Sequence, residues 1–165
     1  MQRAVLGLLV VVSSMLLVAA QASARAGRLD RSFGRGGLVT TSFGTGSSAA
    51  GQAVALTQGG LILVAGQLQT KSGATVMALA RYTGAGRLDR RFGHGGLVRT
   101  AFPGQTNAFG IAVDGKGRAL VVGSSGNRFA VARYTTSGRL DRTFGSRGRV
   151  RRPFRAWRRA DKRWW

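Results

Sequence analysis

A segment of eight residues occurs three times in this chain, and this repeat limits the folds that the chain can adopt. The copies share the pattern Gly-x-Leu-Asp-x-x-Phe-Gly and start at residues 27, 86 and 138. Units that recur at this interval stack as equivalent structural elements, so the sequence predicts a repeat architecture. The shared positions of this octet are Gly27, Leu29, Asp30, Phe33 and Gly34, then Gly86, Leu88, Asp89, Phe92 and Gly93, then Gly138, Leu140, Asp141, Phe144 and Gly145.

The segments between the octets have the composition of strands and turns. Their apolar runs are short, rich in Ala or β-branched residues, and bounded by Gly, Asn, Asp and Ser. Four strands per unit is the content of one propeller blade, although the pattern alone does not separate stacked blades from a sandwich. The predicted strands are 37–43, 52–57, 61–67 and 75–83 in the first unit, and 96–102, 109–113, 119–124 and 129–135 in the second.

Residues 1–24 have the three-part pattern of a secretory signal. Arg3 precedes an apolar stretch from Ala4 to Ala20, and the small residues Ala22 and Ala24 follow it. We expect cleavage after Ala24 and a secreted or cell-envelope location. An uncleaved anchor is the alternative, but its apolar run is at the short end of what spans a bilayer.

The expected domain organisation follows from these two features. Residues 1–24 form the signal peptide and residues 25–150 hold the β repeats. The repeat units are 27–85 and 86–137, with the start of a third at 138–150, and residues 151–165 form a basic tail.

The composition excludes several classes of site. The chain has no Cys, no Glu and a single His, whereas 26 Lys or Arg stand against five Asp, for a net charge of +21. A disulfide framework, a thiol nucleophile and a multi-histidine metal centre are therefore excluded. We expect no metal and no cofactor, and His94 is interpreted as a variable turn residue because Arg35 and Ser146 take its place in the other copies.

The repeated octet is interpreted as structural and the protein as non-enzymatic, with no catalytic residues. An enzyme rarely needs the same carboxylate in every repeat, whereas a scaffold does. Leu and Phe are expected to point inward, and each Asp is expected to accept backbone N–H bonds in a turn. Arg81 and Arg133 are expected to pair with these aspartates. A hydrolase acting at the centre of an assembled ring is the enzymatic alternative.

The motif set resembles one known family. The octet is followed by Gly36-Gly37-Leu38-Val39 in the first unit and by Gly95-Gly96-Leu97-Val98 in the second, and the units contain Ala78-Leu79-Ala80-Arg81-Tyr82 and Ala130-Val131-Ala132-Arg133-Tyr134. From residue 27 to about 150, the chain is similar to the delta-60 repeat family. The resemblance implies a bacterial, exported β-propeller and no catalytic residues. The family's usual Gln-Pro-Asp-Gly-Lys hairpin is altered in both units, although a turn remains.

Two units are fewer than the four to eight blades that close a propeller. The fold class predicted is therefore all-β, an incomplete propeller of about two four-stranded blades. Its open edges and faces are expected to favour self-association. A truncated or frameshifted fragment of a larger propeller protein, without independent function, is the alternative.

The tail carries a separate prediction. Between Arg149 and Trp165 there are eight Arg or Lys and one Asp. If helical, this segment is basic and amphipathic, a type that binds anionic lipid, and an anionic wall polymer is an equal candidate. Export disfavours nucleic acid as a partner. The residues expected to contact a polyanion are Arg155, Trp157, Arg158, Arg159, Trp164 and Trp165.

Overall fold

The structure is a computed structural model that describes residues 27–153. The predicted signal peptide and the six tail residues expected to contact a polyanion lie outside this range. Within it, no helix has the length and apolar character that crossing a membrane requires. The eight strands are β1 (Ser48–Leu56), β2 (Ile62–Gln69), β3 (Thr75–Tyr82), β4 (Leu97–Thr100), β5 (Thr106–Val113), β6 (Ala119–Ser125), β7 (Arg128–Tyr134) and β8 (Arg149–Pro153).

The strands form two antiparallel sheets of the propeller-blade type. The first sheet has the order β1-β2-β3-β4 and the second has the order β5-β6-β7-β8. Tight turns join β1 to β2 and β5 to β6, with Gly60 at φ +71° and Gly117 at φ +72°, values that glycine adopts without steric cost. The predicted fold class, all-β with two four-stranded blades, is therefore confirmed for the described residues.

One predicted strand is wrong, and the error shifts the blade boundary. Residues 37–43 do not form a strand and contribute only an isolated bridge between Arg35 and Leu38. Their equivalents β4 and β8 are strands because they pair with β3 and β7, which precede them in the chain. The fourth strand of each sheet thus comes from the following repeat, and residues 37–43 have no such preceding strand among the described residues.

The main core lies between the two sheets. The first sheet contributes five apolar residues and the second sheet contributes eight, and Phe92, Phe102 and Leu140 lie in the same cluster. Since side chains alternate along a strand, each sheet presents one face to this core and directs the other face away from it. The residues of the first sheet are Leu63, Ala65, Met77, Leu79 and Val98, and those of the second sheet are Ala108, Ile111, Val113, Ala119, Val121, Ala130, Ala132 and Tyr134.

Candidate functional site

The repeated octet forms the same turn three times. In each copy the Asp carboxylate accepts a hydrogen bond from the backbone N–H two residues later, at 2.9 Å for Asp30, 3.1 Å for Asp89 and 3.1 Å for Asp141. The carbonyl of the same Asp accepts a bond from the N–H of the octet Phe at 3.0 Å. The Asp therefore closes a local turn, as Asp side chains do where the backbone reverses.

The pairing expected between strand arginines and octet aspartates is present in both units. The Arg81 guanidinium lies 2.9 Å from the Asp89 carboxylate, and the two side chains are 10% and 4% exposed. Arg133 Nε lies 2.9 Å from Asp141, which also receives Arg118 at 3.2 Å. These carboxylates are held by cations and backbone N–H groups, which is the arrangement of a structural ion pair.

Each of these arginines also stacks on the Phe of its octet. The Arg81 guanidinium carbon is 4.4 Å from the centre of the Phe92 ring, and that of Arg133 is 4.6 Å from the centre of Phe144. Both distances lie within the range of cation–π attraction. Arg81 further donates to the carbonyl of Thr136, just before the third octet. Each arginine thus links its strand to the octet that follows it, and Arg81 also links that strand to the next repeat.

The environment of the aspartates favours their charged form. Burial of Asp89 raises the pKa of its carboxyl, but the hydrogen bonds from Arg91 and the positive charges of Arg81 and Arg91 outweigh that effect, and the net pKa is lowered. For Asp141, the hydrogen bonds from the Thr143 hydroxyl and N–H lower the pKa, with a further contribution from Arg133. Neither carboxyl is poised to donate or accept a proton near neutral pH.

The three octets are in contact with one another along one end of the sheets. The Gly34 N–H donates to the Ala85 carbonyl at 3.0 Å, and the Gly93 N–H donates to the Ser137 carbonyl at 2.9 Å. A Cβ atom on Gly138 would lie only 2.8 Å from the Gly93 nitrogen. The close approach of successive octets therefore requires glycine, and it sets the octets in a row.

The inward packing expected for the octet Leu and Phe holds in part. Phe92 is buried, and Leu88 and Leu140 are half-buried and form bridges with Tyr82 and Tyr134. Leu29, in contrast, is 59% exposed. The expectation is wrong for Leu29 because none of residues 27–153 forms a strand beside it as β3 and β7 do beside the later octets.

Other candidate chemistry occupies exposed or shallow positions. His94 is exposed in the turn that follows the second octet, where its N–H and carbonyl bond to Leu97. Among residues 27–153, no three His, Cys, Asp or Glu side chains group closely enough to hold a metal ion. Two surface concavities have volumes of about 130 and 230 Å³. Pockets for drug-sized ligands are larger.

The most prominent site is a pair of outward apolar faces; the sequence predicted open blade faces but not which residues form them. We define face 1 as the outward side of the first sheet, with Val54 and Leu56 at 65% and 69% exposure. Face 1 consists of Val54, Leu56, Ile62 and Val64, which the register places side by side. Singly exposed apolar residues are common, but a contiguous group of this kind marks an interaction surface.

Face 2 is the outward side of the second sheet. Its register places Val122 opposite Val131, and Val131 opposite Val150 on β8. Val122 is 42% exposed. We define face 2 as Leu120, Val122, Val131 and Val150.

Each outward face has a counterpart in the other sheet that packs against the core. A β-bulge at Gln52 in β1 and at Phe109 in β5 sets the correspondence between the two sheets. Val54 and Ile111 both lie two residues after the bulge, yet only Ile111 packs against the core. By the same register, face 1 corresponds to Ile111, Val113, Ala119 and Val121, and face 2 corresponds to Leu63, Ala65, Leu79 and Val98.

Comparison with known proteins supports the propeller assignment. A family model described as "Domain of unknown function (DUF5122) beta-propeller" matches residues 114–144. The matched segment contains β6, β7 and most of the third octet, and it ends one residue before Gly145. The chain is therefore similar to a β-propeller repeat family over this part. No match was found among curated proteins or among solved structures.

Proposed function

We propose that this protein is a non-enzymatic, exported repeat module of the delta-60 kind, whose structural or binding role depends on stacking its blades against further copies of itself. The partial family match and the two blade-type sheets support a propeller module. Octet aspartates bound to arginine and to backbone N–H groups favour a scaffold over a catalytic centre. The observation that carries the proposal is the exposure of face 1, whose counterparts in the second sheet pack against the core.

The contact between the two sheets is the template for this association. In the core, the second sheet's counterparts of face 1 lie against the first sheet's counterparts of face 2. Face 1 of one copy placed on face 2 of another would rebuild the same set of eight positions. The two contacting surfaces differ, so the interface is heterologous, and repetition of it gives a closed ring or an open filament.

A polar contact at the template interface is also duplicated at face 1. The Tyr134 hydroxyl on β7 donates to Thr100 Oγ1 on β4 at 2.7 Å and links the two sheets. The Tyr82 hydroxyl donates to Thr41 Oγ1 at 2.7 Å, and Phe43 packs beside it against Leu68. Residues 41–43 therefore lie on face 1 as 100–102 lie on the second sheet, so the chain itself already supplies this part of the interface and a partner copy would cover the exposed Val54 and Leu56 beside it.

Light scattering coupled to size-exclusion chromatography tests this function. We expect a defined oligomer for the unaltered chain and a monomer for the double variant Val54→Asp, Leu56→Asp. The matched control is Leu29→Asp, Leu38→Asp, which changes two apolar residues of similar exposure outside both faces and should leave the oligomer intact. A monomeric unaltered chain would contradict the proposal, and a polydisperse aggregate would support the fragment alternative.

Salt provides a second readout of the same association. Copies that each carry a net charge of +21 repel one another, and added salt screens this repulsion. Apolar contact between faces is not weakened by screening, so the oligomer should strengthen as salt is raised from low concentration. Dissociation on adding salt would show that charge pairs, rather than the two faces, hold the copies together.

A further inference from the structure

Two further positions of the octet, outside the Gly, Leu, Asp and Phe pattern, hold arginine in every copy. The second position is Arg28, Arg87 or Arg139, and the fifth is Arg31, Arg90 or Arg142. The sixth position, in contrast, is Ser32, Arg91 or Thr143. The turn therefore accepts different residues at this position, whereas the second and fifth positions keep arginine. Neither arginine position contributes to the ion pairs that hold the octet.

All six arginines are exposed, and their charges are not neutralised within the fold. Among the described residues, the ion pairs of the octet aspartates involve Arg81, Arg91, Arg118 and Arg133, and none of the six. Asp30, in the first octet, has no arginine partner among residues 27–153. Its carboxylate accepts hydrogen bonds from the backbone N–H and the hydroxyl of Ser32 instead. The six side chains therefore present uncompensated positive charge to solvent.

The contacts between octets arrange these charges in order. Gly34 bonds to Ala85 and Gly93 bonds to Ser137, so the three octets follow one another along one end of the sheets. Stacked sheets lie about 10 Å apart, so we expect equivalent octets, and the arginines that they carry, to recur at about that interval. A compact anion can reach one octet, whereas an extended chain of anionic groups can reach all three.

We propose that this arginine row is a binding site for a linear phosphate polymer. The guanidinium group presents paired N–H donors that match phosphate oxygens and stays charged at any physiological pH. Successive phosphates on one flexible chain engage successive octets, so the later contacts form at high effective concentration. The site lies within a single chain and does not depend on association between copies.

The test uses the full chain and inorganic polyphosphate as the probe. We compare the unaltered chain with the row variant Arg28→Gln, Arg87→Gln, Arg139→Gln by titration at several salt concentrations. The control variant Lys71→Gln, Arg128→Gln, Arg152→Gln removes the same number of charges from the loop between β2 and β3, from β7 and from β8. The unfolding temperature of both variants establishes that they remain folded.

The proposal predicts a larger effect for the row variant than for the control at equal net charge. The row variant should lose roughly tenfold or more in affinity, with a fall of about two to three in the slope of log K against log salt concentration. The control should lose clearly less. Equal losses in the two variants would overturn the proposal, because net charge alone would then explain binding.

Two further probes separate a polymer from other phosphate sources. Triphosphate should bind at least about tenfold more weakly than long-chain polyphosphate, since it cannot span the row. Phosphatidylglycerol vesicles present the same phosphate chemistry on a surface. The proposal is supported if the row variant loses polyphosphate binding and keeps vesicle binding. It is overturned if the row variant loses only vesicle binding, or if the unaltered chain binds triphosphate and polyphosphate with equal affinity.

Discussion

The Tyr134 hydroxyl on the second sheet donates a 2.7 Å hydrogen bond to the Thr100 hydroxyl on the first. The Tyr134 side chain is fully buried, and its bond crosses the interface between the two sheets. The same pair recurs as Tyr82 and Thr41 on face 1. One interface thus exists within the chain, and half of a second one is assembled on its surface.

Alkaline pH is expected to destabilise the fold through Tyr134. Burial raises the pKa of this phenol to about 12, although the bond to Thr100 and the charge of Arg149 act in the opposite direction. The folded state favours the neutral phenol of Tyr134. The resulting contribution to the free energy of unfolding is complete below pH 10 and is lost between pH 10 and 12, by about 1.4 kcal/mol per pH unit. Denaturant unfolding from pH 9 to 12 should show less alkaline loss in Tyr134→Phe than in Tyr82→Phe, and equal loss would refute this assignment.

Removal of Arg81 should cost more stability than removal of an exposed arginine. Arg81→Met leaves the carboxylate of Asp89 buried without its main cation, and breaking a buried pair in this way costs about 3–5 kcal/mol. Arg90→Met, in the same octet, should change the free energy of unfolding by less than about 0.5 kcal/mol. Urea denaturation measures both variants, and similar values for the two would show that the pair does not stabilise the fold.

Acid should destabilise the fold through the octet carboxylates. The pKa of Asp141 is lowered, first by hydrogen bonds from Thr143 and then by Arg133, and the net pKa of Asp89 is lowered as well. Their contribution is present above the ordinary pKa of 3.8 and is lost as pH falls through the lower folded-state value. Circular dichroism from pH 7 to 2 should show a smaller acid-induced loss of stability in Asp141→Asn, and an unchanged loss would exclude this carboxylate as a cause.

Glycine at the contact between octets should be more sensitive than glycine in an open turn. Gly138 has φ +81°, and a Cβ there meets the backbone of Gly93 at 2.8 Å, whereas Gly95 has φ +60° and open space around it. Gly95→Ala bears only the cost of a left-handed backbone, about 1–2 kcal/mol. Gly138→Ala adds displacement of a neighbouring octet, so its thermal unfolding midpoint should fall further. Equal midpoints would mean that the octets do not pack as described.

Much of the fold could be predicted because the repeat supplies its own internal comparison. Arg81 and Arg133 occupy the same place before a Tyr in equivalent strands, and the ion pairs expected for them with Asp89 and Asp141 are both present. Antiparallel strands joined by Gly60 and Gly117 were likewise predictable, because the need for positive φ is local.

What could not be predicted depends on neighbours in space. Val54 and Ile111 occupy equivalent positions with similar side chains, and only the sheet packed beside each decides that one is exposed and the other part of the core. Residues 37–43 carry the pattern of a strand, but a strand forms only where a partner offers its N–H and C=O groups. The arginine row could not be predicted because the local sequence does not show that these six side chains are exposed and lie outside the ion pairs of the octet aspartates.

Mixing two variants with opposite blocked faces tests the stacking of copies most directly. Val54→Asp, Leu56→Asp blocks face 1 and leaves face 2 open, whereas Val122→Asp blocks face 2 and leaves face 1 open. Each variant alone should be monomeric by light scattering, and an equimolar mixture should give a heterodimer of twice the chain mass. A mixture that stays monomeric, or variants that each associate on their own, would contradict the pairing of face 1 with face 2.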